Sequence, residues 1–192
     1  MANIHDDPTV HAKDAATFES WLKKHHAQSD GIWLALAKKT GTKSSVTYVE
    51  AVEVALCWGW IDGQKKKFDD DYSLQRFTPR RPRSAWSQTN VDRVARLIED
   101  KRMQPPGLAE VERAKADGRW DAAYAPASTM AVPDDLAAAL KRNKRAAAFF
   151  ATINAANRYA ILYRIQAGKK PETRSRNIDK FVAMLERGET LY

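Results

Sequence analysis

The first part of the chain alternates between helical and extended patterns of apolar residues. A stripe of apolar residues at three- and four-residue spacing follows Asp14, a residue type that commonly caps helices, and predicts an amphipathic helix over residues 14–28. The run Ile32–Ala37 is short, apolar and bounded by turn residues, so it predicts a strand that is buried on both faces. The chain therefore begins as a mixture of helix and strand.

A central helix and a hairpin follow in the sequence. Thr47 and Glu50 have the spacing of a capping box, and the helix predicted over residues 47–60 is apolar almost all round, which is typical of a helix at the centre of a domain. Residues 65–68 and 73–78 have strand character and flank a turn that contains three aspartates. We expect these two segments to form a hairpin with an acidic tip.

Apolar stripes at helical spacing dominate the rest of the chain. They predict helices over residues 90–102 and 108–114, and four more within residues 134–192. The last four stripes consist of Leu136 and Leu140; Phe149, Phe150 and Ile153; Tyr159, Leu162, Tyr163 and Ile165; and Ile178, Phe181, Val182 and Leu185. The sequence thus predicts an α+β protein, with a small, mainly antiparallel sheet packed by helices and followed by an all-helical C-terminal bundle.

The same patterns predict how the chain is divided. We expect a flexible tail over residues 1–13 and an N-terminal α+β unit over residues 14–124. Residues 125–133 are rich in alanine and proline and form the best candidate for a linker. A C-terminal helical unit then covers residues 134–192.

Composition excludes several classes of protein. Apolar residues make up 44% of the 192 residues, which excludes a wholly disordered chain, and no apolar run approaches the ~20 residues of a membrane-spanning helix. Cys57 is the only cysteine, so an internal disulfide is impossible. The polar and acidic N-terminus lacks the pattern of a secretory signal, and we therefore expect a cytoplasmic protein.

The net charge of +8 is concentrated in two segments. Residues 65–83 carry seven basic and three acidic side chains, and residues 141–187 carry twelve basic and three acidic side chains. The remaining parts of the chain are slightly acidic. A local excess of this kind can create a positive surface that attracts anions, although a solubilising surface is an equally good interpretation.

An arginine-rich stretch follows the predicted hairpin. Arg76, Arg80 and Arg81 lie close in sequence to Trp86. Guanidinium groups bind phosphate or carboxylate through paired hydrogen bonds, and a nearby ring can stack on a ligand, so we name these four as candidate ligand-binding residues. In the alternative interpretation, Arg76 pairs with Asp62 or with the aspartates of the hairpin tip, and Trp86 packs in the core.

The start of the last predicted helix is the second candidate site. Thr173, Arg174 and Arg176 lie in its first turns, where free backbone amides can bind an anion. Cations at this end of a helix oppose its dipole, so a compensating anion is expected there. That anion is either an external ligand or an internal carboxylate such as Glu172.

Acidic residues of the central block open a catalytic alternative. Glu50, Glu53 and Asp62 could form a cleft with Arg76, because a buried carboxylate pair can separate its two pKa values and do acid–base work. The capping role of Glu50 offers a structural explanation instead. The histidines and the single cysteine do not have metal-ligand spacing, and no glycine-rich phosphate motif is present, so we expect neither a metal site nor a cofactor.

Three blocks of the sequence resemble a known family. They are residues 48–63 (YVEAVEVALCWGWIDG), 74–87 (LQRFTPRRPRSAWS) and 169–178 (KKPETRSRNI). Together they resemble the bacterial YdeI/OmpD-associated, or bacteriocin-protection, family over about residues 18–188. The resemblance implies a role in tolerance of bacteriocins and cationic peptides, and the family has no agreed catalytic mechanism.

The resemblance and the charge distribution together favour one function over two others. We expect a non-enzymatic stress or antimicrobial-tolerance protein that binds a small anionic ligand or a phosphate-bearing partner through its basic segments. The first alternative is a nucleic-acid-binding protein, which requires both basic segments on one continuous face. The second is an enzyme with the carboxylate/arginine cleft. The sequence leaves the oligomeric state open.

Overall fold

The chain forms two compact units, Met1–Ala123 and Tyr124–Tyr192. The computed structural model describes residues 7–39 and 42–192. Within these residues, no helix combines the length and the apolar character needed to cross a membrane.

In its described residues, the first unit is a four-stranded sheet with four helices. Its elements are β1 (Thr9–His11), α1 (Ala15–His25), β2 (Ile32–Ala37), α2 (Tyr48–Cys57), β3 (Trp60–Lys67), β4 (Tyr72–Pro79), α3 (Gln88–Glu99) and α4 (Pro105–Ala116). The strand order is β1-β2-β4-β3. The β2–β4 and β3–β4 pairs are antiparallel, while β1 lies parallel to β2. The α+β fold, the mainly antiparallel sheet and the hairpin are therefore confirmed.

The N-terminal segment differs from the expected flexible tail. Thr9 and His11 lie in a strand that pairs with Trp33–Ala35 of β2, and the amide of Trp33 donates to the carbonyl of Pro8 at 2.9 Å. The prediction of a flexible tail over residues 1–13 is wrong for residues 9–11, which form this strand, while residues 1–6 lie outside the described residues. The reason is that β2 has a free edge, whose backbone groups need partners that a short polar segment can supply.

The central helix is shorter than its apolar pattern predicts. It ends at Cys57, and Gly59 takes a φ of 74°, a left-handed conformation that glycine adopts readily. Trp60 therefore begins β3 and does not belong to α2, although the predicted helix included it. The rings of Trp58 and Trp60 are both buried, because the chain turns back beneath α2 at this point.

One face of the sheet packs against the helices and forms the main core. Alternate residues of β2, including Leu34 and Leu36, share that core with Phe18 of α1 and Phe77 of β4. The rings of Phe18 and Phe77 lie 5.5 Å apart between their centroids. The opposite face carries a smaller cluster built around Trp33, so β2 is buried on both faces as predicted.

The second unit consists of four helices. They are α5 (Asp134–Arg142), α6 (Lys144–Thr152), α7 (Ala155–Gln166) and α8 (Pro171–Glu186). The four predicted stripes supply most of their core, including Leu136, Phe150, Ile165 and Phe181. Four helices at these positions are therefore confirmed, with Pro171 in the first turn of α8, where a missing backbone amide hydrogen has no effect.

Candidate functional site

Arg76 forms an ion pair with a residue that neither interpretation of the sequence proposed as its partner. Its Nε and Nη2 atoms both lie 2.7 Å from Oδ2 of Asp7, and both side chains are nearly buried. The expected partners, Asp62 and the aspartates of the hairpin tip, have other roles: Asp62 accepts a hydrogen bond from Tyr48 at 2.6 Å. Arg76 therefore ties the segment before β1 to the middle of the sheet.

Arg80 and Trp86 form a buried structural unit. The guanidinium of Arg80 lies 3.7 Å above the centroid of the Trp86 ring and donates to the carbonyl of Ala85 at 2.8 Å. Trp86 also meets Trp120 edge-on, with 4.9 Å between ring centroids, and belongs to the main core. The two candidates are thus brought together, in a stack that fixes the loop after β4.

Arg81 differs from its neighbour in being exposed. Its backbone amide does not pair with a neighbouring strand. It instead donates a hydrogen bond to the Ser84 hydroxyl at 3.1 Å, in a tight turn. Among the described residues, no side-chain partner exists for Arg81 or for Arg83, and both are exposed. These two guanidinium groups remain available to an anion.

At the start of α8, an internal carboxylate takes the place of the expected ligand. Arg174 grips Asp135 of α5 with two hydrogen bonds, one of them 2.9 Å long, and also donates to the carbonyl of Ile165 at 3.2 Å. The hydrogen bonds from Arg174 lower the pKa of Asp135, and the same bonds raise the pKa of Arg174. Thr173 lies beside this pair in sequence and is partly buried, whereas Arg176 is exposed.

The acids of the catalytic alternative each have a structural partner. Glu50 completes the capping box of α2, because its carboxylate accepts from the Thr47 amide at 2.9 Å; hydrogen bonds from Thr47 lower its pKa. Glu53 pairs with Arg102 at 3.2 Å, and Asp62 is bound by Tyr48 as described above. These contacts explain the acids without a catalytic role.

In the described residues, Cys57 is not placed as a reactive thiol, and the metal-ligating residue types do not form a metal site. Burial raises the pKa of the Cys57 thiol to about 11, so the reactive thiolate is scarce at neutral pH. No group of three or more His, Cys, Asp or Glu residues in the described part of the chain could hold a metal ion.

A lysine-lined hollow at the open end of the sheet is the strongest candidate site. It has a volume of about 500 Å³ and is lined by Lys38, Lys65, Lys66, Lys67 and Ser73. None of these lysines makes an ion pair with a carboxylate of the described residues. The hollow therefore collects positive charge that no carboxylate of the described residues neutralises in an ion pair.

Strand pairing explains why these side chains converge, and we call the group the lysine hollow. Lys67 lies opposite Ser73, which lies opposite Leu36, so all three share the helix-facing side of the sheet. Lys65 is two residues earlier on the same strand and has the same orientation. On this face Lys65 and Lys67 are exposed and Ser73 is partly buried, in contrast to the buried Leu36.

Two contacts orient the remaining lysines. The ammonium of Lys38 donates to the carbonyl of Asp69 in the hairpin turn. Lys66 points to the opposite side of the sheet, where its Nζ lies 3.9 Å from the centroid of the Trp33 ring. Lys66 is therefore directed away from the lysine hollow, and the free ammonium groups there are mainly those of Lys65 and Lys67.

The acidic tip of the hairpin has a local role. The carboxylate of Asp69 accepts from the amides of Asp71 and Tyr72, at 2.9 and 2.6 Å, and so holds the turn. Our sequence-based candidates do not include the lysines next to this turn. The run of three consecutive lysines in β3 is a usable signal, but Lys38 joins them only through strand pairing that the sequence does not reveal.

Two family models match the chain in consecutive parts. Residues 10–110 match a domain of unknown function, DUF8412. Residues 129–188 match the family described as bacteriocin-protection, YdeI or OmpD-associated, which confirms the suspected resemblance in the second unit. The first two sequence blocks fall in the first match and the third block in the second. Curated proteins and solved structures yield no match.

Proposed function

Because this chain belongs to the DUF8412 family over its first unit and carries a bacteriocin-protection, YdeI or OmpD-associated domain in its second, we propose that it is a non-enzymatic tolerance protein that binds an anionic ligand. The family match itself supports a bacteriocin-protection-like function in general. The proposal adds the chemistry of the ligand and the place where it binds.

The lysine hollow is the observation that carries the proposal. Lys38, Lys65 and Lys67 line the hollow together with Ser73, whose hydroxyl donates a long hydrogen bond, 3.5 Å, to the carbonyl of Leu36. An anion in the hollow would receive charge-assisted hydrogen bonds from the ammonium groups and a further hydrogen bond from the hydroxyl. Phosphate and carboxylate groups both meet this requirement.

The contacts of the arginines support placing the ligand at the lysines. Arg76, Arg80 and Arg174 each donate to an acceptor of their own chain, so a ligand would have to displace those contacts. Arg81 and Arg176 are exposed and remain predictions as further ligand contacts. The basic segment 65–83 is thus functional in this proposal mainly through its lysines.

Calorimetric titration of the full chain tests the proposal. Inorganic phosphate, tripolyphosphate and citrate would be titrated at low ionic strength and again in high salt, which screens exposed charges. We expect binding at low salt that weakens as salt rises. Absence of binding of all three anions at low salt would contradict the proposal.

Three double variants locate the site, each with two positive charges removed. Lys65→Gln with Lys67→Gln should weaken binding roughly tenfold, because two charge contacts of about 0.5–1 kcal/mol each are lost. Arg81→Gln with Arg176→Gln measures the exposed arginines. Lys23→Gln with Arg96→Gln is the matched control on α1 and α3, where both side chains are exposed. An equal loss in the control would show that only net charge matters and would overturn the assignment to the hollow.

A further inference from the structure

The junction between α5 and α6 carries a dense cluster of positive charge that the proposed function does not use. Lys141 and Arg142 form the last turn of α5, and Lys144 and Arg145 form the first turn of α6. All four side chains are exposed, while the residue between them, Asn143, is partly buried. We call these five residues the basic knuckle.

The backbone of the basic knuckle is held in one conformation. Asn143 ends α5 and also caps α6, since its side chain accepts a hydrogen bond from the Ala146 amide at 3.0 Å. Leu140 and Ala146 on either side are buried in the core of the second unit. The four charged side chains are therefore attached to an ordered backbone, which lowers the entropy lost when they bind a partner.

The charges of the basic knuckle lack internal compensation among the described residues. None of the four makes an ion pair or a side-chain hydrogen bond there, in contrast to Arg174, which is paired with Asp135. The acids of α5, Asp134 and Asp135, lie in its first turn, about 9–12 Å from Lys141 and Arg142 along the helix axis at ~1.5 Å per residue. That separation exceeds the Debye length of about 8 Å at physiological salt.

The helix dipoles favour one half of the basic knuckle and oppose the other half. Lys141 and Arg142 complement the negative end of α5, but Lys144 and Arg145 oppose the positive end of α6. The second unit as a whole carries twelve basic and six acidic side chains. A negatively charged partner would relieve both the local and the overall excess.

We propose that the basic knuckle binds the phosphate backbone of a nucleic acid. Four cations within five residues match a run of phosphates, and short runs rich in lysine and arginine are typical of such contacts. The flanking apolar residues, Leu140 and Ala146, are buried, so no apolar side chain of the knuckle is available to enter a membrane. The contact reads charge and not base sequence.

Fluorescence anisotropy with a labelled duplex DNA of about 20 base pairs tests this proposal on the full chain. Each lost phosphate contact reduces the slope of log K against log salt by about 0.9. Arg142→Gln with Arg145→Gln should therefore weaken binding at low salt and flatten this slope by about 2, equally for two unrelated sequences. An unchanged slope, or no binding by the unmodified chain, would overturn the proposal.

Control variants separate the basic knuckle from general charge and from the lysine hollow. Lys169→Gln with Lys180→Gln removes two exposed charges from the same unit and should leave the slope nearly unchanged. Lys65→Gln with Lys67→Gln shows whether the lysine hollow also contacts the phosphates of the DNA. A fall in slope with the hollow variant alone would place DNA at the hollow and refute a role for the knuckle. Binding to vesicles with anionic lipids but not to DNA would also refute the proposal.

Discussion

Two arginine–aspartate pairs, one in each unit, place the same chemistry in different surroundings. In the pair Arg76–Asp7, the side chains are only 12% and 8% exposed. In the pair Arg174–Asp135, they are 29% and 42% exposed, although the second pair has the better bidentate geometry. We infer from this difference that the burial of an ion pair, and not its hydrogen-bond geometry, decides how much stability is lost when one partner is removed.

The physical reason is the fate of the charge that is left behind when one partner is removed. Without Asp7, the guanidinium of Arg76 remains inside the protein, with little water to stabilise it. Without Asp135, the guanidinium of Arg174 reaches solvent and keeps its bond to the Ile165 carbonyl. Four predictions, ordered by expected effect, probe this difference.

The largest effect is expected at the buried pair. Asp7→Asn should lower the free energy of unfolding by about 3 kcal/mol, because it leaves a buried charge without its counter-charge. Urea denaturation followed by tryptophan fluorescence measures this loss. The double variant with Arg76→Met serves as the control and should regain part of the stability. A loss below about 1 kcal/mol for Asp7→Asn would contradict the assigned importance of burial.

A smaller loss is expected for the arginine that stacks in the core of the same unit. Arg80→Met keeps the length of the side chain but removes the stack on Trp86 and the hydrogen bond to Ala85, which should cost about 2 kcal/mol. Exposed Arg81→Met is the matched control and should change stability by less than about 0.5 kcal/mol. Equal effects of the two changes, measured by urea denaturation, would argue against a structural role for Arg80.

The exposed pair of the second unit should matter least among the ion pairs. Asp135→Asn is expected to lower the free energy of unfolding by at most about 1 kcal/mol, since exposed pairs are screened by water and salt. Denaturation at low and high salt measures the effect, which should shrink as salt is added. A loss as large as that of Asp7→Asn would erase the contrast between the two units.

Acid should remove the contribution of the exposed pair. The pKa of Asp135 is lowered in the folded state, so its stabilisation is present above the ordinary aspartate pKa of 3.8 and is lost as pH falls through the lower folded value. The stability difference between the unmodified chain and Asp135→Asn should therefore vanish well below pH 4 and be complete near neutrality. A difference that grows on acidification would have the wrong sign.

Local patterns predicted most of the secondary structure because each depends on near neighbours in sequence. The four stripes of the second unit and the capping residues Thr47 and Glu50 are of this kind. The end of α2 was mispredicted because the apolar run continues to Trp60, whereas the positive φ of Gly59 ends the helix. Periodicity alone does not register such a turn.

The partners of the candidate residues could not be predicted in the same way. Asp7 and Arg76 are 69 residues apart and meet only because β1 joins the sheet edge next to β2. The charge counts located the basic segments correctly, but they did not separate arginines bound to their own chain from lysines open to solvent. That separation depends on strand register, which places the exposed Lys65 and Lys67 on the same face of the sheet as Ser73.

Our central claim is that the lysines of the hollow, and not the neighbouring arginines, bind the anion. A two-dimensional ¹H–¹⁵N NMR titration with tripolyphosphate at low salt tests this claim directly. We expect the largest amide chemical-shift changes at Lys38, residues 65–67 and Ser73, and small changes around Arg80 and Trp86. Largest shifts at residues 80–86, or uniform small shifts with no saturation, would contradict it.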